Sequence, residues 1–288
     1  MQIENRYNQR LLAMREAKDI LVASHTGYCG WNIISNTVES FDIAVRLGAD
    51  IVEMDIAMSS DGELFVFHPG KEPIIFRSLN AFQKLPAAYI RQSQYYNPNG
   101  GPSGRYPDTF DEVLESLKGR CLLNLDKTWD HPDEKRKWAA VFDAIERHDM
   151  ADQIIFKSEA EQKYADMFGG MEKKYMYMPM LNKLEDLDMF LRPDINMVMA
   201  EVKFKTEKDY FAQPEAIEAF HKRGIMVWGN ALNLSTNWCL AAGHDDHAAL
   251  MGDPAKGWGY FVERGYDIIQ TDHLPMMMDY FRSINVRV

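Results

Sequence analysis

Glu53 and Asp55 close an apolar run, Ala49-Asp50-Ile51-Val52, with two carboxylates one residue apart. Side chains alternate along a β-strand, so both acids share one face and can hold a cation between them. A third acid, Asp126, ends Leu122-Leu123-Asn124-Leu125, and His25 and His68 each close an apolar run of their own. Three carboxylates without a cysteine make a hard oxygen site, suited to one Mg²⁺, Ca²⁺ or Mn²⁺ rather than zinc. Two histidines beside such a site supply an acid and a base that work near neutral pH. The combination describes cation-assisted displacement at phosphorus.

Positioning these groups requires a scaffold, and the rest of the chain has the pattern of one. Short apolar runs alternate with amphipathic stretches from end to end, which predicts repeated βα units and a (β/α)₈ TIM barrel, class α/β, as a single domain over residues 1–288. Strands are expected at 20–24, 51–56, 121–126, 153–157, 174–177, 197–202, 225–229 and 267–271. A ninth run, 64–68, reads as a hairpin partner of 51–56 around Ser59-Ser60-Asp61-Gly62, because Asp-Gly is a strong turn signal. Helical periodicity marks 38–47, 110–117, 134–148, 214–222 and 275–284, with Asn36-Thr37 and Thr109 as N-caps. Residues 1–19 read as an N-terminal helix. Residues 69–107, rich in Pro, Gly and Asn, read as a long loop inserted after the second barrel strand, a candidate cap. In such a barrel the reacting groups come from the carboxyl ends of the strands. His25, Glu53, Asp55, His68 and Asp126 all fall there.

The chain of 288 residues carries 43 acidic and 32 basic side chains, a net charge of −11. That balance argues against nucleic acid or an anionic membrane as the main partner, while a few local cations suffice for a small phosphate ligand. Cys29, Cys121 and Cys239 are widely spaced and form no C-x-x-C, so a reducing compartment is expected. The polar amino terminus and the lack of a long apolar run predict a cytoplasmic protein without stable membrane insertion.

The order His-x-Gly, Asn-Thr-x-Glu-Ser-Phe, Leu-Gly-Ala-Asp-Ile-Val-Glu-Met-Asp and Asp-Gly-Glu-Leu-x-Val-x-His resembles the glycerophosphodiester phosphodiesterase family. The resemblance continues in Tyr106-Pro107-Asp108-Thr109-Phe110, Val227-Trp228-Gly229-Asn230 and Gly265-Tyr266-Asp267. It implies a TIM barrel and one divalent cation held by Glu53, Asp55 and Asp126. It also implies His25 and His68 as the acid–base pair, and hydrolysis of a glycerophosphodiester or similar small diester to a phosphomonoester and an alcohol. A phospholipase D-like lyase that releases a cyclic phosphate is an alternative. So is a catalytically silent barrel that binds a phosphorylated ligand.

The chain departs from the family's pattern beside its catalytic positions. Thr26 stands where the family has arginine, Ser35 where it has glutamate, Pro69 where it has aspartate, and Thr128 where it has a lysine two residues after the third acid. Another cation must then hold the phosphate. Lys157 is the first candidate, Lys203, which alternation pairs with Glu201, the second, and Lys127 the third. Trp228 at a strand end and Trp31, with Tyr28, in the loop after His25 are candidate rings against a substrate. His244-Asp245-Asp246-His247, after a short helix expected at 238–242, reads as a solvated loop. Asp272 reads as the cap of the last helix.

Overall fold

Each apolar run becomes a strand: β1 (Leu21–Ser24), β2 (Ile51–Met58), β3 (Leu64–Val66), β4 (Leu122–Asp126), β5 (Ile154–Glu159), β6 (Met176–Leu181), β7 (Met199–Val202), β8 (Met226–Asn230) and β9 (Ile268–Thr271). The structure is a computed structural model and describes residues 5–235 and 239–288. Hydrogen bonds order the strands β1-β9-β8-β7-β6-β5-β4-β2-β3, and β1 also pairs with β2. The ring of eight parallel strands, with helices between them, is a (β/α)₈ TIM barrel. Both faces of its strands are covered, and every residue of β2 is buried, hence the near-continuous apolar runs. The ninth strand, β3, is the expected hairpin partner: it runs antiparallel to β2, with Ile56 opposite Val66 and Met58 opposite Leu64.

By its contacts the chain divides into two compact units. One comprises Met1–Ser24, Gly48–Ile51 and Ile155–Val288. Here β5 through β9 and β1 pair in parallel, with Met180 opposite Glu201, Met199 opposite Met226 and Leu21 opposite Ile268. Strand β6 runs on to Leu181, beyond the expected 174–177, and takes in Pro179. The proline is tolerated because the ladder to β7 is broken there. Tyr177 bridges Met197 while Met180 pairs with Glu201, three residues against four, which is a bulge. The N-terminal segment is helical over Gln9–Ala17, after a 3-10 turn at Arg6–Asn8. Arg15 donates to the Asp267 carboxylate at 2.9 and 3.1 Å, and Lys18 pairs with buried Asp50 at 2.6 Å. Both acids also accept a strand N–H, Val227 and Val22 respectively.

The other unit comprises His25–Leu47 and Val52–Ile154. Its helices Val38–Arg46 and Phe110–Leu117 start in capping boxes, Thr37 with Ser40 and Thr109 with Glu112. The segment 69–107 is built of short helical turns, Glu72–Ile75, Phe82–Lys84 and Ala87–Ile90. A stack of rings holds it to the β2–β3 hairpin. Phe67 lies 4.8 Å from Phe76 and 4.7 Å from Phe82, and Phe76 lies 5.1 Å from Tyr95. All four are buried, each contributing roughly 2 kcal/mol of hydrophobic stabilisation. No helix among the described residues is long and apolar enough to cross a membrane.

Candidate active site

Glu53, Asp55 and Asp126 come together as the alternation on β2 requires. Each offers a carboxylate oxygen, and the three oxygens lie within 4.8 Å of one another. Glu53 and Asp55 are 1% and 2% exposed. Unit charges about 5 Å apart repel by about 3 kcal/mol at an effective dielectric constant of 20, so such a cluster calls for compensating positive charge. The donor set, all hard oxygens on rigid strands, fits a Mg²⁺-, Ca²⁺- or Mn²⁺-class ion.

Each acid is oriented by a donor from a neighbouring turn. The Thr26 backbone N–H donates to Glu53 Oε2 at 3.0 Å. Asn36 Nδ2 donates to Asp55 Oδ2 at 2.8 Å, and its Oδ1 accepts the Asp55 backbone N–H at 3.1 Å. The Lys127 N–H donates to Asp126 Oδ1 at 2.5 Å. All three donor residues have left-handed backbone, with φ of 52°, 58° and 57°. That conformation is costly for a β-branched residue such as Thr26 and for Lys127, and less so for Asn36. Left-handed strain of this kind clusters at functional sites.

The two histidines are tied to this cluster through the backbone. His25 precedes Thr26, whose N–H holds Glu53, and His68 follows Phe67, whose N–H donates to the Asp55 carbonyl at 2.9 Å. Both imidazoles are partly exposed. His68 Nδ1 lies 2.7 Å from the Pro69 carbonyl. A carbonyl only accepts, so Nδ1 carries the proton and Nε2 of the neutral ring presents a lone pair.

Two further groups at the site escaped sequence reasoning. Asn36 reads as a cap in the sequence, but Thr37 does the capping, leaving Asn36 to clamp Asp55. Lys137, on the helix Glu134–Arg147, is 0% exposed. Burial pushes its ammonium down to about 8, against the pull of Asp130, Asp55 and Asp126. The signal was there in outline: Lys137 falls on the buried stripe of Trp138, Val141, Ala144 and Ile145.

The remaining candidates lie in the other unit, apart from Lys127 and Trp31. Lys157 is 3% exposed, and its ammonium is 3.4 Å from Glu201 Oε2. Lys203 Nζ is 3.4 Å from Glu201 Oε1, which also accepts from Asn230 at 2.9 Å. Two lysines thus share one carboxylate. Lys203 also lines a cavity of about 630 Å³ at the ends of β5 to β7, with Glu159, Asn182, Lys205 and Asp209. Trp228 is fully buried, its Nε1 directed to Asn230 Oδ1 and Gln270 Oε1 at 3.1 and 3.3 Å. Its ring is core here. Trp31 is 73% exposed.

Three expectations need correction. Asp246 is not in a solvated loop. It is 2% exposed and accepts from Thr271 Oγ1, Trp258 Nε1 and the Asp272 N–H at 2.6, 2.7 and 2.9 Å. Burial raises its carboxyl to about 6 against those bonds. The N-cap of the last helix, Leu274–Ser283, is His273 and not Asp272, and His273 makes no side-chain capping bond. Of the helix expected at 238–242, Trp238 lies outside the described residues, and 239–242 is not helical.

A family model described only as a domain of unknown function matches residues 177–281. No curated protein sequence matches the chain. Among solved structures, a glycerophosphoryl diester phosphodiesterase from Parabacteroides distasonis superimposes with a TM-score of 0.77 at 19% identity, covering 100% of this chain and 95% of that one. A glycerophosphodiester phosphodiesterase from Thermotoga maritima gives 0.63 at 20%, covering 91% and 98%. An Oleispira antarctica phosphodiesterase in complex with the product sn-glycerol-3-phosphate gives 0.64 at 14%, covering 91% and 96%. The fold of the chain is that of these enzymes.

Proposed function

We propose that the chain is a divalent-cation-dependent phosphodiesterase that hydrolyses a glycerophosphodiester or similarly small diester to a phosphomonoester and an alcohol. The observation that carries this reading is the Glu53–Asp55–Asp126 carboxylate cluster, on a barrel shared with enzymes of that activity, with His25 and His68 next in the chain to residues whose N–H groups bond Glu53 and Asp55. Glu53, Asp55 and Asp126 hold the cation, which supplies charge neutralisation at a phosphate oxygen when bound. The histidines move the protons. The unprotonated imidazole takes a proton from the attacking water as its oxygen bonds to phosphorus. The protonated one delivers a proton to the alcohol oxygen as the P–O bond breaks. With its Nδ1 proton committed to Pro69, His68 does this work at Nε2.

Thr26 is 3% exposed, so the family's arginine has no counterpart there. Among the three lysines, Lys127 adjoins Asp126 in the unit that contains the acid cluster. We assign it the phosphate contact, with exposed Trp31, in the same unit, as a contact for the rest of the substrate.

Phosphorus NMR of glycerophosphocholine incubated with the protein and Mg²⁺, Mn²⁺ or Ca²⁺ tests the reaction. A phosphomonoester signal supports hydrolysis. A persistent cyclic phosphate signal would make the enzyme a lyase, and an unchanged diester across a panel of glycerophosphodiesters would overturn the reading.

A further inference from the structure

Lys137 is a long basic side chain with no exposure to solvent, so it cannot touch a substrate. Buried ammonium groups are rare and require partners. The partners of this one are specific: Nζ donates to the Lys127 carbonyl at 2.6 Å and to the Asp130 carbonyl at 3.2 Å. Both belong to the turn that follows β4. Lys127 is the residue with left-handed backbone, φ 57°, whose N–H holds Asp126 Oδ1. One chain of contacts therefore runs from the Lys137 ammonium through the Lys127 peptide units to the Asp126 carboxylate.

We propose that Lys137 is a positioning residue of the cation site, clamping the strained Lys127 turn so that Asp126 faces Glu53 and Asp55, and setting a buried positive charge behind the three acids. The inference rests on the reading of those acids as cation ligands. Three carboxylates carry −3 and a divalent ion +2, so Lys137 brings positive charge toward a cluster that stays negative with the ion bound and whose Glu53 and Asp55 are buried. The family's lysine two residues after the third acid is replaced here by Thr128, which is 0% exposed. A positive charge is instead delivered to this strand end by the following helix.

The test is calorimetric titration of the full chain with Mn²⁺, in wild type, Lys137→Met and Lys137→Arg, alongside thermal melting in chelator. Wild type is expected to bind one equivalent. Lys137→Met is expected to remain folded and to bind ten- to a hundredfold more weakly, the usual cost of losing a group that orients a ligand. Lys137→Arg keeps charge and donors and should recover most of the affinity. Should Lys137→Met fail to fold, Lys137→Gln is read by the same criterion. A neutral variant binding within twofold of wild type would mean a packing role and overturn the inference. Tighter binding would reduce Lys137 to a repulsive charge, which overturns it as well. Wild type that binds no Mn²⁺ would instead sink the reading of the acids themselves.

Discussion

Asn36 grips Asp55 at both ends of its amide, donating to the carboxylate at 2.8 Å and accepting the backbone N–H at 3.1 Å. A loop residue with left-handed backbone thereby fixes both the rotamer of a buried acid and the strand that carries it. Hydrogen bonds to an ionised group in such a setting contribute about 1.5–3 kcal/mol. The cost of the unusual backbone is offset there.

Asn36→Ala should lower stability by about 3 kcal/mol, part from the lost bonds and part from the left-handed backbone. Asn36→Gly removes the bonds but not the permitted conformation, and should recover about 1 kcal/mol of that loss. Both should reduce kcat/KM about ten- to a hundredfold. Urea melts and steady-state kinetics on the two variants separate the contributions.

His25→Ala and His68→Ala should each reduce kcat by about 10²–10⁴, the range for loss of a positioned acid or base. Both rings are partly exposed, so the circular dichroism spectrum and the affinity for Mn²⁺ should not change. A variant that loses activity only by losing the cation would contradict the assigned role.

Gly27 has φ 79°, and a Cβ built on it would lie 2.5 Å from Ser40 Oγ and 2.8 Å from the Ser40 carbonyl carbon. Gly27→Ala should therefore destabilise the chain by about 2–3 kcal/mol. Because this turn also presents the Thr26 N–H to Glu53, activity should fall further than stability at a temperature where the variant is folded.

The barrel was legible because parallel strands covered on both faces must be continuous apolar runs. All nine runs became strands, and the Asp-Gly turn set the β2–β3 register. Strand β6 extends past the expected 174–177 because the neighbouring ladder is interrupted at Pro179, which an unbroken ladder would not admit. The acid trio was legible through alternation along β2. Asn36 and Lys137 were not, since an Asn before a helix and a Lys in Lys135-Arg136-Lys137 both have commoner explanations, a cap and a solvated face. Asp246 was misread for the same reason: its partners Trp258, Thr271 and Asp272 are remote in sequence, and polar neighbours concealed its burial.

The depressed Lys137 ammonium has a consequence for stability. Burial lowers it from 10.5 to about 8, so between those values the unfolded chain holds a proton that the folded chain has released. Stability then rises with pH through that window. The two pH units between about 8 and 10 correspond to up to about 3 kcal/mol at about 1.4 kcal/mol per unit. Chemical denaturation of the metal-free protein at pH 7.5 and 10 should show this gain in wild type relative to Lys137→Met. Equal slopes for the two would contradict it.

The central claim is that Glu53, Asp55 and Asp126 hold one divalent cation on which phosphodiester cleavage depends. Its most direct test is restoration of turnover in the chelated, cation-free protein by stepwise addition of Mn²⁺, followed by phosphorus NMR of glycerophosphocholine. The account predicts no turnover in chelator, recovery that saturates at one equivalent, and no recovery at one equivalent in Asp55→Asn. Undiminished cleavage in the cation-free protein, or full recovery in Asp55→Asn at one equivalent, would contradict it.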